Sequence, residues 1–100
     1  MDGAWVYILG CSDGSYYTGL TRRSPEERLA EHQAGLVDGY THRLRPVTLL
    51  YAEHFPRLLD AMAAEQQIKG WSRAKKEALI ARRHDLLPGL SRRGSREGDG

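Results

Sequence analysis

Cysteine is nearly absent. Cys11 is the single one in 100 residues, so no internal disulfide can staple the chain, and a reducing cytoplasm suits it. Cys11 reads as an inert free thiol in a turn. The four histidines, at 32, 42, 54 and 84, have no zinc-type spacing, so a structural zinc site is excluded with the disulfides. No apolar run approaches the roughly 18–20 residues needed to cross a bilayer, which argues against a membrane protein. Met1-Asp2-Gly3 lacks the cationic start of a secretory signal. There is no phosphate-cradling glycine loop and no nucleophile elbow. Proline is scarce too, and all four residues, at 25, 46, 56 and 88, fall where elements begin or end.

What remains is an ordinary globular composition, 40% hydrophobic and 28% charged, enough for about one domain. The net charge of +2 hides an asymmetry. Residues 1–65 carry six basic and nine acidic groups, a balance of −3, whereas residues 66–100 carry nine and four, a balance of +5. A basic final third suits a polyanion, since lysines and arginines that neutralise phosphates release counterions.

The pattern gives an α+β domain with a small three-stranded antiparallel sheet and flanking helices, in the order β-β-α-β-α-α. Ala4 to Leu9 and Tyr16 to Thr21 alternate as strands, and Asp13-Gly14 between them is a hairpin signal. Ser24, Pro25 and Glu27 form a capping box that opens a helix running through Ala34, where Gly35 is a natural stop. A loop over 35–46 leads to a third strand, Val47 to Glu53, whose apolar run suits a central place in the sheet. A second helix runs from Pro56 to about Lys69, and Gly70 breaks it. Ser72 caps a third helix reaching Asp85. The folded domain is expected over 1–88, and residues 89–100, ending rich in Arg, Gly and Ser, read as a disordered tail.

Several residues on this frame carry chemistry. Tyr7 and Tyr17 sit on the two hairpin strands. They share a sheet face only if paired residues have numbers summing to an even value, as with Leu9 opposite Tyr17. That register requires an odd-length loop or a glycine bulge near Gly14. Arg28 and His32 lie one helical turn apart on a common face. In the second helix Leu58, Ala61, Met62, Glu65 and Ile68 form one stripe that Glu65 interrupts. Two readings of Glu65 stay open: an edge carboxylate paired with Lys69 at i+4, or a ligand of a divalent cation. A tyrosine is a plausible base only where cations favour the phenolate, and Arg22, Arg23, Arg28 and His32 are placed to supply them.

The order and spacing of these pieces resemble the GIY-YIG nuclease superfamily, in its small stand-alone, single-domain branch. Trp5-Val6-Tyr7 stands where the first motif would be and Tyr17-Thr18-Gly19 where the second would be. Pro25, Arg28, Leu29 and His32 look like the following helix, and Ala64-Glu65 through Ile68-Lys69 like the metal-binding helix. Trp5 replaces the glycine of the first motif and Thr18 the isoleucine of the second, both as packing variants. The resemblance implies a metal-dependent endonuclease that hydrolyses DNA, or RNA, in repair or processing. It implies a single Mg²⁺ or Mn²⁺ held by Glu65, with Tyr7 and Tyr17 positioning or deprotonating water, Arg28 stabilising transition-state charge and His32 moving a proton. Gly19 would allow close approach. Arg22, Arg23, Lys69, Arg73, Lys75 and Lys76 would contact phosphates. The alternatives are a nucleic-acid-binding module without turnover and a nuclease subunit that requires a protein partner.

Overall fold

The computed structural model describes residues 3–37 and 39–82. Strands β1 (Ala4–Gly10), β2 (Tyr16–Thr21) and β3 (Thr48–Phe55) form one antiparallel sheet in the order β2-β1-β3. Between the strands and after them come α1 (Pro25–Gln33), a short 3₁₀ turn (Tyr40–His42), α2 (Leu58–Lys69) and α3 (Arg73–Ile80). The chain divides into two compact units, one ending at Lys69 and one beginning at Gly70. The expected domain end at 88, the tail over 89–100 and the expected helix end at Asp85 lie outside the described residues.

The hairpin has the register that brings its tyrosines together. Leu9 faces Tyr17 and Tyr7 faces Gly19, and the connecting loop of residues 11–15 is odd in length. Gly14 takes φ 87° there, and the Asp13 carboxylate accepts from the backbone N–H and hydroxyl of Ser15. On the face that carries both phenols, Tyr7, Leu9, Cys11 and Val47 form a buried cluster. Leu29 of α1, Leu44, Leu49 and Ala52 pack against it.

Two expectations need correction. The third strand is not central: β1 is, and β3 is an edge strand, largely exposed outside Tyr51. Its apolar run misled because Leu50 and half of its neighbours face solvent, whereas Val6, Tyr7, Ile8 and Leu9 of β1 are all buried. The stripe on α2 is also narrower than expected. Ala61, Glu65 and Ile68 are buried, but Met62 is 47% exposed. Glu65 therefore lies in the middle of the covered face.

The first helix begins and ends as its capping residues dictate. Ser24 Oγ accepts from Glu27 N, Pro25 occupies the first turn, and Gly35 follows with φ 77°. At the last position of the helix, Gln33 joins α1 to the approach of β3. Its side-chain amide donates to Val47 O and accepts from Val47 N, both at 2.9 Å, as a strand would. Arg45 reaches back to the carbonyls of His42 and Gln33, and Ser12 N donates to Leu44 O. The loop that carries Thr41 is thereby fixed to both α1 and the hairpin.

Candidate active site

Tyr7 projects from the central strand at a position opposite Gly19, and that pairing explains the glycine. A Cβ at residue 19 would stand 2.5 Å from both Cζ and Oη of Tyr7, and 3.0 Å from the Tyr17 ring. The phenol therefore lies across bare backbone. The expected close approach at Gly19 is real, and it is made by the chain's own tyrosine in mid-strand.

Three groups converge on that phenol. His32 Nε2 lies 3.0 Å from Tyr7 Oη, and Arg28 Nε donates to the same oxygen at 3.4 Å. The Tyr17 ring stands 6.4 Å from Tyr7 and 5.3 Å from His32, centroid to centroid. Helical spacing puts Arg28 and His32 on the face of α1 that meets the sheet, so residues 21 and 25 positions from Tyr7 reach it together. His32 is completely buried, and its Nδ1 lies 2.7 Å from Thr41 Oγ1, itself 1% exposed.

Electrostatics set the protonation states. Burial pushes the Tyr7 phenol above the ordinary tyrosine value; the Arg28 hydrogen bond opposes this, while Tyr17 and Glu65 add to it. The cations expected to favour phenolate do not prevail. Arg23 pairs with Glu31, and Glu31 also takes Arg28 Nη1 at 2.8 Å, so much of the positive field is spent on a carboxylate. Burial, with help from Arg28, pushes the His32 imidazole below its ordinary value. At neutral pH the site thus holds a protonated phenol beside a neutral imidazole.

Glu65 is 8% exposed and approaches from α2. Its Oε2 pairs with Lys69 Nζ at 2.9 Å, and Gln66 Nε2 donates to Oε1 at 3.2 Å. The Lys69 ammonium is held above its ordinary value chiefly by Glu65, with Tyr17 contributing. Both readings of Glu65 thus keep a foundation: the i+4 pair exists, and the carboxylate's charge is felt at Tyr7. Among the described residues no three His, Cys, Asp or Glu side chains gather as a metal cage. One carboxylate with oxygen donors fits Mg²⁺ or Mn²⁺, which keep water and take substrate phosphate oxygens, and does not fit a structural zinc ion.

The basic residues singled out for phosphate contact are scattered in character. Arg22 is exposed and helps line a cavity of about 560 Å³ with Arg57, Leu58, Leu59 and Asp60. Arg23 and Lys69 sit in the ion pairs already described, and Arg73 Nε pairs with Glu77 at 3.1 Å. Lys75 is buried rather than displayed. Its ammonium stands 4.1 Å from the centroid of Trp71, and burial lowers its pKa. Lys76 is partly exposed.

The motif departures also have physical accounts. Trp5 packs edge-on against His54 of β3, directly across the strand pair, at 5.1 Å. Thr18 is buried, and its hydroxyl has no hydrogen-bond partner among the described residues. Cys11 is buried and its thiol pushed up by that burial, as an inert thiol should be. Sequence reasoning gave neither Thr41 nor Glu31 a role in the site. A threonine nine positions after His32 has no periodic relation to it, and Glu31 looked like one more polar residue on a solvated helix.

The family described as the GIY-YIG catalytic domain matches residues 3–78. The chain is 50% identical over 75 residues to a UPF0213 protein of Halobacterium salinarum, which spans 75% of this chain and 96% of that protein. It is 46% identical over 80 residues to a UPF0213 protein of Streptococcus sanguinis, spanning 80% and 91%. The solution NMR structure of a UPF0213 protein from Bacillus halodurans aligns with a TM-score of 0.53 at 33% identity, over 93% of this chain and 98% of that one. The E. faecalis protein EF2693 aligns at 0.56 with 35% identity, over 84% and 88%. The chain belongs to the GIY-YIG catalytic-domain family, a nuclease family whose members act on nucleic acid with divalent metal ions.

Proposed function

We propose that this chain is a metal-dependent endonuclease that hydrolyses DNA phosphodiester bonds in the cytoplasm, in DNA repair or processing. One observation carries the reading: a buried phenol is contacted by His32 Nε2 at 3.0 Å and by Arg28 Nε at 3.4 Å. A proton source, a proton acceptor and a fixed cation meet at one oxygen, which a purely structural tyrosine does not need.

Tyr7 takes the proton of the attacking water as it gives up its own to His32. Tyr17, half-buried beside both rings, orients the water or the scissile phosphate. Arg28 stabilises the charge that develops on the phosphoryl oxygens. A single Mg²⁺ or Mn²⁺ on Glu65 would supply Lewis-acid stabilisation of the phosphate and leaving oxygens. Arg22, Arg23, Lys69, Arg73, Lys75 and Lys76 serve as phosphate contacts, with exposed Arg22 and partly exposed Lys76 ahead of buried Lys75. The lone buried thiol of Cys11 suits the reducing cytoplasm, and no described helix is long and apolar enough to cross a membrane.

A second reading, a subunit that needs a protein partner, draws support from a specific feature. Arg28 is engaged by Glu31 and Glu65 by Lys69, so both charges assigned to substrate and metal are neutralised within the chain. Incubating the purified protein with duplex, nicked, branched and single-stranded DNA, in Mg²⁺ or in EDTA, tests the proposal. Strand breaks with Mg²⁺ and none with EDTA are expected. Tight binding without breaks on all four forms would favour a binding module, and breaks only after addition of a cell extract would favour the partner-dependent subunit.

A further inference from the structure

We infer that Thr41 is a positioning residue that holds His32 in the tautomer that Tyr7 and Arg28 call for, accepting a hydrogen bond from Nδ1–H so that Nε2 stays open to take the proton of Tyr7. The inference deepens the proposed nuclease reading and rests on it for its catalytic consequence. The tautomer itself follows from a donor and acceptor inventory.

Arg28 Nε can only donate, so its contact with Tyr7 Oη at 3.4 Å occupies an acceptor lone pair of the phenol. The phenolic hydrogen then needs an acceptor. Within hydrogen-bond reach, among the described residues, that acceptor is His32 Nε2 at 3.0 Å. A neutral imidazole with Nε2 accepting carries its hydrogen on Nδ1, and Nδ1 faces Thr41 Oγ1 at 2.7 Å. The opposite tautomer would aim Nε2–H at an oxygen already receiving Arg28, and would strand the Tyr7 hydrogen. Tyr7 is 1% exposed, His32 0% and Thr41 1%, so a hydrogen left without a protein acceptor would carry a desolvation penalty.

The groups around the imidazole are consistent with a neutral ring. Arg28 and Glu31 lie on its own helix, Tyr7 and Tyr17 on the strands, and Thr41 on the 3₁₀ turn. That turn is fixed by the hydrogen bonds of Arg45 and Ser12, so the hydroxyl is held in place before any substrate arrives.

The chemical step balances on this arrangement. Water oxygen bonds to phosphorus and its proton passes to Tyr7 Oη, while the Tyr7 proton passes to His32 Nε2. The bond from phosphorus to the leaving sugar oxygen breaks with its electron pair on that oxygen, which takes a proton from solvent. The imidazolium formed keeps its Nδ1–H on Thr41 and later returns the Nε2 proton to Tyr7 Oη, whose own proton passes to solvent where the attacking water stood.

The test is ¹⁵N NMR of the histidines in the intact protein near neutral pH, comparing wild type, Thr41→Val and Thr41→Ser. Wild type should show His32 with a protonated Nδ1 and a bare Nε2. Thr41→Val, which keeps shape and loses the acceptor, should convert at least half of the population to the Nε2–H form. Thr41→Ser should restore the wild-type pattern. In cleavage assays Thr41→Val should slow the reaction about 10-fold, less than outright loss of a general base, and Thr41→Ser should recover most of it. A wild-type ring protonated on Nε2, or a folded Thr41→Val with unchanged Nδ1 protonation, overturns the inference. Should Thr41→Val unfold, the wild-type and serine spectra decide alone. The spectra read the tautomer even if no strand is cut, so failure of the nuclease reading is distinguishable from failure of this one.

Discussion

Around Tyr7 the partners are mostly neutral and dry: a phenol, an imidazole and a threonine hydroxyl, all at most 1% exposed, with Arg28 at the margin. Around Glu65 they are charged and wetter, because Lys69, half exposed, holds the carboxylate in an ion pair. Both regions sit in the unit ending at Lys69, and Tyr7 feels the charge of Glu65. The contrast separates two tasks. Proton transfer needs fixed donors and acceptors that water cannot replace, which a buried network provides. Exchanging a lysine for a metal ion needs a partner that can leave the carboxylate, and Lys69, half exposed, can turn out to water at small cost.

The sharpest way to break this comparison is Glu65→Ala. Cleavage with Mg²⁺ should fall below detection, more than about 10³-fold, because Glu65 is the carboxylate assigned to the cation and, among the described residues, no cluster of three His, Cys, Asp or Glu side chains could take its place. Stability should change by only about 1 kcal/mol, since the ion pair lost has a half-exposed lysine and losing the buried carboxylate relieves its desolvation. Thermal unfolding together with a plasmid-nicking assay checks both. Normal cleavage would remove the metal assignment, and an unfolded variant would make Glu65 structural.

Arg28→Ala probes the boundary between the two regions. Its guanidinium touches Tyr7 and pairs with Glu31. The single-turnover rate should drop by about 10²-fold or more while DNA affinity stays nearly unchanged, as for a contact made in the transition state. Equal losses in binding and in rate would instead make Arg28 an ordinary phosphate contact.

Much of this site was legible in the chain. Strand and helix periods place Tyr7, Tyr17, Arg28, His32 and Glu65 each on a face, the family resemblance suggested their roles, and the parity argument demanded the register that Leu9 and Tyr17 adopt. Thr41 was not legible, since its place depends on a loop pinned by Arg45 and Gln33 through tertiary hydrogen bonds. The direction of the Tyr7 shift was missed for a related reason. Sequence counts the nearby arginines but not Glu31, which consumes two of them. The edge position of β3 escaped because an apolar run reports hydrophobicity without reporting which strands flank it.

The pH dependence of stability sharpens the contrast at a smaller scale. His32 has a folded-state pKa below its ordinary 6.5, so the unfolded chain binds the proton more readily. Stability should therefore be flat above about 6.5 and fall as pH drops below it. Tyr7 is shifted above 10.0, so the folded state keeps its proton longer, and stability should also fall as pH rises past that value. Urea titrations across pH should show the acid slope shrink in His32→Asn and the alkaline slope shrink in Tyr7→Phe. Slopes unchanged in both variants would mean that neither group is as dry as the structure has it.

The smallest effect is expected at Thr18, between Tyr17 and Gly19, whose side chain alternation directs away from the phenols. Its buried hydroxyl has no partner among the described residues, so folding forfeits a hydrogen bond with water and gains none. Thr18→Val keeps the shape and removes the orphan. The variant should be more stable by about 1 kcal/mol, within the usual penalty for a buried unsatisfied hydroxyl, and should cut DNA at the wild-type rate. Differential scanning calorimetry and the same nicking assay read the two quantities. A loss of cleavage without a loss of stability would show that the far face of β2 also shapes the site, and the division between a dry proton network and a solvent-reachable charge pair would need a third region.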